Sequence, residues 1–365
     1  MTDLSTSNRQ FSMEGATHLY SSLPTMLTPA DLYSIQDHPA HKIALSGCNI
    51  YLIVRRHRIY LNPQGVRREG RHVRGDFLVM REEGRVLVPF VYDINQSSVP
   101  PETQILDVAV ADNGTGLMVV TPQRKHVIAA SVLVACAQSE LVANDTDLDV
   151  LYVGQGIGRK NSRNAHDRLL SHTKLQQILA ETITHAPECE VLLLLYRFEH
   201  GQTLISNGGD FNLQAQASAQ QDKTHFNRLT SVKLERKEAV ALAEAGLINY
   251  FKPYYNTLLK TTNFAAKDKL KVLKLLMKKG ITGLIVELCT ANLRSRIGTK
   301  HAVPKELTDI FPLEALDGRY IADQATQEQW QEELKQVAHS HHAEFPLTTP
   351  EERNTFLHGS TFVTE

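Results

Sequence analysis

The stretch VLYVGQGIGR, residues 150–159, admits two readings, and the choice between them decides the fold. As a strand running into a glycine-rich loop, it would open a nucleotide-binding unit whose backbone amides meet a phosphate at a helix N-terminus. As a strand ending in Tyr-Val-Gly, it puts the weight on Tyr152 and leaves the later glycines to make a turn. A dinucleotide fingerprint needs G-x-G-x-x-G with the helix opening inside the motif. Here the glycines fall at 154, 156 and 158, and Arg159 stands where the last glycine is required. The helical pattern starts only near Asn164, and no Gly-Lys-Ser/Thr is present to make a Walker loop. Both nucleotide readings lack their defining chemistry.

The residues beyond the loop support the tyrosine. The segment NAHDRLLSHTKLQQILAET, residues 164–182, carries apolar residues at Ala165, Leu169, Leu175, Ile178 and Leu179, the spacing of one helix. Arg168 comes sixteen residues after Tyr152, with His172 four further on, so a single helix would present both on one face. A cation and an imidazole beside an apolar stripe need a partner, either a phosphate oxyanion or an internal carboxylate. A second helix, LERKEAVALAEAGLINYF (234–251), places Glu244 on the stripe Val240, Glu244, Ile248, Phe251 and is stopped by Lys252-Pro253. A carboxylate in such a stripe is protonated, salt-bridged or bound to a metal. Asn256 lies in the turn KPYYN, where its amide can hold a neighbouring loop or a ligand.

In order and spacing these segments resemble the GIY-YIG nuclease superfamily. That family has a Tyr-Ile/Val-Gly strand, then a helix with an arginine and often a histidine one turn on. A helix with an essential glutamate comes next, then a Lys-Pro-x-x-Asn-like turn. This chain supplies LYVGQG, AHDRLLSH and AEAGLINYFKPYYN, and the resemblance covers residues 127–260. The E-x-x-L-I-x-x-x-K-P-x-x-N run is its most specific piece. One departure stands out. The family's Gly-Ile-Tyr should end the preceding strand ten or more residues before Tyr152, but SVLVACAQSEL, read here as that strand, offers only Ser131, Cys136 and Ser139. The long polar insert HGQTLISNGGDFNLQAQASAQQDKTHFN (200–227) is a second departure.

The resemblance implies an α+β fold: a small three-stranded antiparallel sheet flanked by helices, with an N-terminal β-rich domain added. It implies phosphodiester hydrolysis with Tyr152, Arg168, His172, Glu244 and Asn256 as site residues. Glu244 would hold Mg²⁺ or Mn²⁺, Arg168 would bind the phosphate, and Tyr152 would position or help deprotonate water. His172 would assist as base or relay, and Asn256 would support the site. The substrate is nucleic acid, with DNA favoured over RNA, and restriction, phage defence and mobile-element roles are all compatible. A non-cleaving protein that binds nucleic acid or docks to a partner enzyme is the rival reading.

The rest of the chain sets the frame. Its 365 residues are 42% hydrophobic and 22% charged, with a formal net charge of -1. The chain as a whole is therefore no basic coat, and no apolar run approaches the roughly 18 residues of a membrane span. The polar N-terminus is no signal peptide. The four cysteines, Cys48, Cys136, Cys189 and Cys289, are widely separated. This spacing fits a reducing cytoplasm rather than a disulfide framework or a zinc knuckle. Charge is unevenly spread. Residues 55–74 hold seven arginines against the single acid Glu69, and residues 267–279 hold six lysines against Asp268. Such patches on a neutral protein suit transient contact with a polyanion. Expected contacts are Arg55, Arg56, Arg58, Arg67, Arg68 and Arg71, with Arg159, Lys160 and Arg163 beside the glycine loop. The expected divisions are a polar tail (1–39), a β-rich accessory domain (40–124), the nuclease-like domain (125–303) and an acidic or polar extension (304–365). His339, His341 and His342 read as part of that exposed extension rather than as metal ligands. A homo-oligomer or a protein partner is compatible with these features.

Overall fold

The computed structural model describes residues 10–156, 164–198, 200–207, 215–256, 267–306, 308 and 323–348. The chain opens with β1 (Glu14–Tyr20), β2 (Thr25–Leu27), the short helices α1 (Asp31–Ser34) and α2 (Pro39–Ala44), and the long β3 (Ile50–Leu61). Next come β4 (Arg67–Glu69), β5 (His72–Arg81), β6 (Gly84–Asp93), β7 (Asp107–Ala111), β8 (Gly116–Val120), β9 (Lys125–Ala129), α3 (Ala130–Cys136), β10 (Gln138–Ser139) and α4 (Ala143–Thr146). The middle of the chain holds β11 (Leu148–Gln155), α5 (Ala165–Leu169), α6 (Thr173–His185), β12 (Cys189–Tyr196), β13 (His200–Ser206), α7 (Ala219–Thr230) and α8 (Arg236–Phe251). It closes with α9 (Lys267–Lys278), β14 (Ile281–Cys289), β15 (Ile297–Gly298), α10 (Gln324–Ala338) and β16 (Ser340–Pro346).

The fold is mixed α and β, and β3 organises it. Residues 50–55 of β3 lie between two antiparallel partners, β11 on one side and β12 on the other. Beyond Arg58 the same strand pairs with β5 instead. The three central strands are thus part of a nine-stranded sheet rather than a small separate one. Alternation along β3 serves two cores. Ile50, Leu52 and Val54 face α8, whereas Tyr51 and Ile53 face Leu169, Leu175 and Ile178 of α5 and α6. A third core, around Phe77, Phe90, Tyr92 and Leu117, closes the β-rich unit of β4–β10. That unit leaves β3 and returns at β11, so a boundary at residue 124 does not follow the strand pairing.

The SVLVACAQSEL segment, expected as a strand, forms helix α3 followed by the two-residue β10. Of the polar insert, residues 200–206 are a strand and 219–230 a helix capped by Ser218. The N-terminal tail is also structured: β1 pairs antiparallel with β13 and parallel with β14, and Ala16 and Leu19 are fully buried. The C-terminal extension adds β16 to the other edge of β14. His341 is buried there against Tyr250 and Phe251, so it does not belong to an exposed tail. Local composition hid both segments because their partners lie roughly 55 to 270 residues away.

Helix α8 packs against β11 on one side and against β13, β14 and β16 of the second sheet on the other. Its burial therefore runs all round, from Ala239 through Ile248, rather than along one stripe. Among the described residues no helix is long and apolar enough to cross a membrane, and all four cysteines are free thiols.

Candidate active site

The site is built where β3 begins and β11 ends. Register places Tyr51 opposite Gly154, and Tyr152 lies two residues from Gly154 on the same face. Tyr51 lies 101 residues before Tyr152 in the sequence, yet strand pairing brings the two together. The two phenol rings stack with centroids 6.2 Å apart. Gly154 makes this possible: a Cβ there would sit 2.5 Å from the Tyr51 hydroxyl and 2.6 Å from its Cζ. The glycine of Tyr-Val-Gly thus leaves room for the other tyrosine.

The expected single helix carrying Arg168 and His172 is two helices. His172 sits between them with extended backbone and caps α6, its Nδ1 accepting the Leu175 amide at 3.2 Å. Arg168 and His172 are therefore not stacked on one helical face. The break brings the imidazole edge-on to both phenols, 5.6 Å from the ring of Tyr51 and 5.2 Å from that of Tyr152. Because Nδ1 is occupied as an acceptor, the neutral ring carries its proton on Nε2. In this state Nε2 is a hydrogen-bond donor, as a relay requires. Burial, assisted by Arg168 and Lys174, lowers the imidazole pKa and favours that neutral form.

Burial is the main cause that raises the Tyr51 phenol pKa far above its ordinary value. Tyr152 and Glu244 push in the same direction, while the Arg168 guanidinium, hydrogen-bonded to the phenol, pulls it down. Tyr152 is raised by burial and by Glu244, again opposed by Arg168. Glu244 and Arg168 thus act electrostatically on both hydroxyls. The carboxylate reaches them from α8, where its residue keeps 9% of its surface exposed. Arg168 is exposed, available to something arriving from solvent.

Asn256 is fully engaged by the backbone. Its Oδ1 accepts the Val153 amide at 2.9 Å, and its Nδ2 donates to the Val153 carbonyl at 2.8 Å. It acts as a substitute strand partner for β11 beside Tyr152, so it positions the site rather than offering a group to a ligand. Asn49, which sequence reasoning missed, repeats the arrangement at the start of β3. Its side chain bonds both the amide and the carbonyl of Phe198, and its own carbonyl accepts the Gly156 amide. A signal for these positions existed in the sequence: Asn49-Ile50-Tyr51 opens a run of β-branched and aromatic residues after the turn at Gly47.

The expected nucleic-acid contacts divide. Arg56 is buried and paired with Glu190, Arg55 is paired with Asp149, and Arg58 donates to the Tyr60 hydroxyl and the Cys189 carbonyl. Arg71 is turned inward onto Asn95 and the carbonyls of Val99, Pro100 and Thr103. Acceptors of the chain itself engage all four side chains, Arg56 in the interior but Arg55 in an ion pair whose side chains are 36% and 44% exposed. Arg67 and Arg68 are exposed. Arg159, Lys160 and Arg163 lie outside the described residues. Among the described residues no group of three or more His, Cys, Asp or Glu side chains is arranged to hold a metal ion. No protein-family description, curated protein or solved structure matches the chain.

Proposed function

We propose that this chain is a metal-dependent endonuclease of the GIY-YIG type, hydrolysing phosphodiester bonds in nucleic acid, DNA in preference to RNA. The observation that carries the reading is the convergence of Tyr51, Tyr152, Arg168, His172 and Glu244 on one end of the central sheet. These residues come from β3, β11, α5, the α5–α6 junction and α8. The strand pairing supports the order expected of the family, with Tyr51 as the first tyrosine and the β-rich unit as an insertion between the two tyrosine strands.

Chemically, each group has a task it suits. Arg168 offers a planar fork of donors to a phosphate. The paired hydroxyls position the attacking water, and Tyr51 accepts the water's proton only as the phenolate, after its own proton has passed to solvent. His172 donates from Nε2 and holds an oxygen of the phenol or phosphate in place. Asn256 keeps Tyr152 in register through Val153. Glu244 would hold Mg²⁺ or Mn²⁺, which when bound stabilises negative charge on the leaving side. The fit rests on the donor set. A lone carboxylate suits a hard ion that keeps several of its waters, and not an ion caged by protein.

The test is nicking of supercoiled plasmid in Mg²⁺, wild type beside Glu244→Gln. Cleavage by the wild type and none by a folded Glu244→Gln variant is the expected result. Equal cleavage by both would remove Glu244 from the metal site. Binding of DNA by the wild type without any cleavage would replace the nuclease with the non-cleaving binding protein.

A further inference from the structure

The strands β4 and β5 form an arginine-bearing hairpin that nothing in the candidate site uses. Arg67 pairs with Arg74, Arg68 with Val73 and Glu69 with His72, and the turn runs through Gly70 at φ 63°, a conformation that favours glycine. Arg67, Arg68, His72 and Arg74 are exposed, whereas Val73, the cross-strand partner of Arg68 on the other face from Arg67 and Arg74, is fully buried and anchors the ribbon. Placing Arg67 directly across from Arg74 costs stability, because like charges opposite one another on a sheet repel. The only acid among residues 67–74 is Glu69. It holds Arg74 in an ion pair whose two side chains are both 60% exposed, which solvent screens heavily. Arg71 is committed to the loop at residues 95–103 and braces the hairpin from behind.

We propose that this hairpin is a two-stranded ribbon that enters the major groove of duplex DNA about one helical turn from the bond that is cut. The inference rests on the nuclease reading and adds to it the place and form of substrate recognition. Shape favours DNA. A B-form major groove about 12 Å wide admits a two-stranded ribbon, whereas the major groove of A-form RNA is too narrow for side chains to read. Distance favours a site one turn away. From Tyr51 to Leu61 the strand β3 spans about 33 Å at roughly 3.3 Å per residue. β5 continues outward from Phe77, which pairs with Leu61, to Arg74, adding about 10 Å for a contour path of roughly 43 Å. Strand twist shortens this path towards the roughly 34 Å of one duplex turn. An open cleft of about 570 Å³ at the ribbon's base is lined by Arg67 and Arg74 together with Glu69, Asp76 and Glu140, so its charge is mixed. Phosphate contact falls to the exposed sides of Arg67, Arg68 and Arg74.

The experiment uses the full chain carrying Glu244→Gln, a labelled duplex with one mapped cleavage position, anisotropy across a salt series, and hydroxyl-radical footprinting. Arg67→Ala/Arg68→Ala/Arg74→Ala should flatten the logarithmic salt slope by up to about three units, close to 0.9 per phosphate contact. It should erase a footprint about ten base pairs from the cut while keeping the one over the cut. Lysines at the same three positions should restore most of the slope, which separates charge from any disturbance of the fold. An unchanged slope and footprint overturn the ribbon assignment alone, and so does equal affinity for single strands or for duplex RNA. Failure of the chain to bind any nucleic acid, together with no cleavage by the wild type, overturns the nuclease reading as well.

Discussion

Replacing Gly154 with alanine perturbs the candidate site without removing any of its functional groups. The added methyl would lie 2.5 Å from the Tyr51 hydroxyl oxygen and 2.8 Å from Cε1 of Tyr152, whereas ordinary contact begins at 3.4 Å. The phenol must therefore retreat by 0.9 Å, the difference between those distances. Tyr51 is 1% exposed, so it has no open space to retreat into. Misplacing a reacting group by about 1 Å costs on the order of 10² in rate. Overpacking of this kind costs about 1–3 kcal/mol of stability. The assay is single-turnover cleavage of a labelled duplex in Mg²⁺ at saturating protein, beside a thermal melt and a binding isotherm. Gly154→Ala should cleave about 100-fold more slowly, melt a few degrees lower and bind DNA as the wild type does. If the methyl acts through the Tyr51 hydroxyl, adding Gly154→Ala to Tyr51→Phe should slow cleavage little further, a failure of additivity expected for groups in contact. A folded Gly154→Ala variant that cleaves at the wild-type rate would refute the placement of Tyr51 in the reaction.

The same geometry sets three further outcomes. Burial raises both phenols, so if Tyr51 takes the proton, cleavage should keep rising with pH through about 10, the ordinary tyrosine value. Tyr51→Phe should lose that limb, and a wild-type plateau well below pH 10 would contradict it. Asn256→Ala strips the buried amide and carbonyl of Val153 of their side-chain partner. Its expected cost is about 1–3 kcal/mol for each group left unpaired, read as a lower urea midpoint; an unchanged midpoint refutes the strand-partner role. Burial pushes the His341 imidazole down to about 3, so the folded state favours its neutral form. The stability this supplies is complete above the ordinary histidine value of about 6.5 and is lost as pH falls from there towards 3. His341→Leu should flatten the fall in stability across that window, and an unaltered pH dependence would show that His341 does not titrate on unfolding.

Local chemistry was legible where a segment's own periodicity or chain stops set its structure. The helix ending at Lys252-Pro253, the strands β12 and β14, and the turn at Asn256 all arise from apolar spacing and breakers within a few residues. The order and spacing of their segments singled out Tyr152, Arg168, His172, Glu244 and Asn256, and the fold brings the rings of Tyr152 and His172 to 5.2 Å from each other. Even here one local signal misled. The apolar spacing from Ala165 to Leu179 is continuous, yet the Ser171-His172-Thr173 junction splits the helix because the imidazole accepts a backbone amide as a cap.

What only the tertiary structure decided concerns partners remote along the chain. Tyr51 pairs with Gly154 across an inserted β-rich unit, and nothing local to either residue records that register. An antiparallel pair needs only that its two strands return to each other, and lengthening the loop between them adds closure entropy slowly. Tyr51 and Tyr152 can therefore lie 101 residues apart in sequence while their strands stay paired neighbours. The same reason explains β1 and β16, polar terminal segments held by hydrogen bonds to distant strands. It also explains why Arg55, Arg56 and Arg58 meet acceptors on neighbouring strands. A basic run in sequence shows its charge, but whether each side chain meets solvent or a neighbour's oxygen is set by which strands lie beside it.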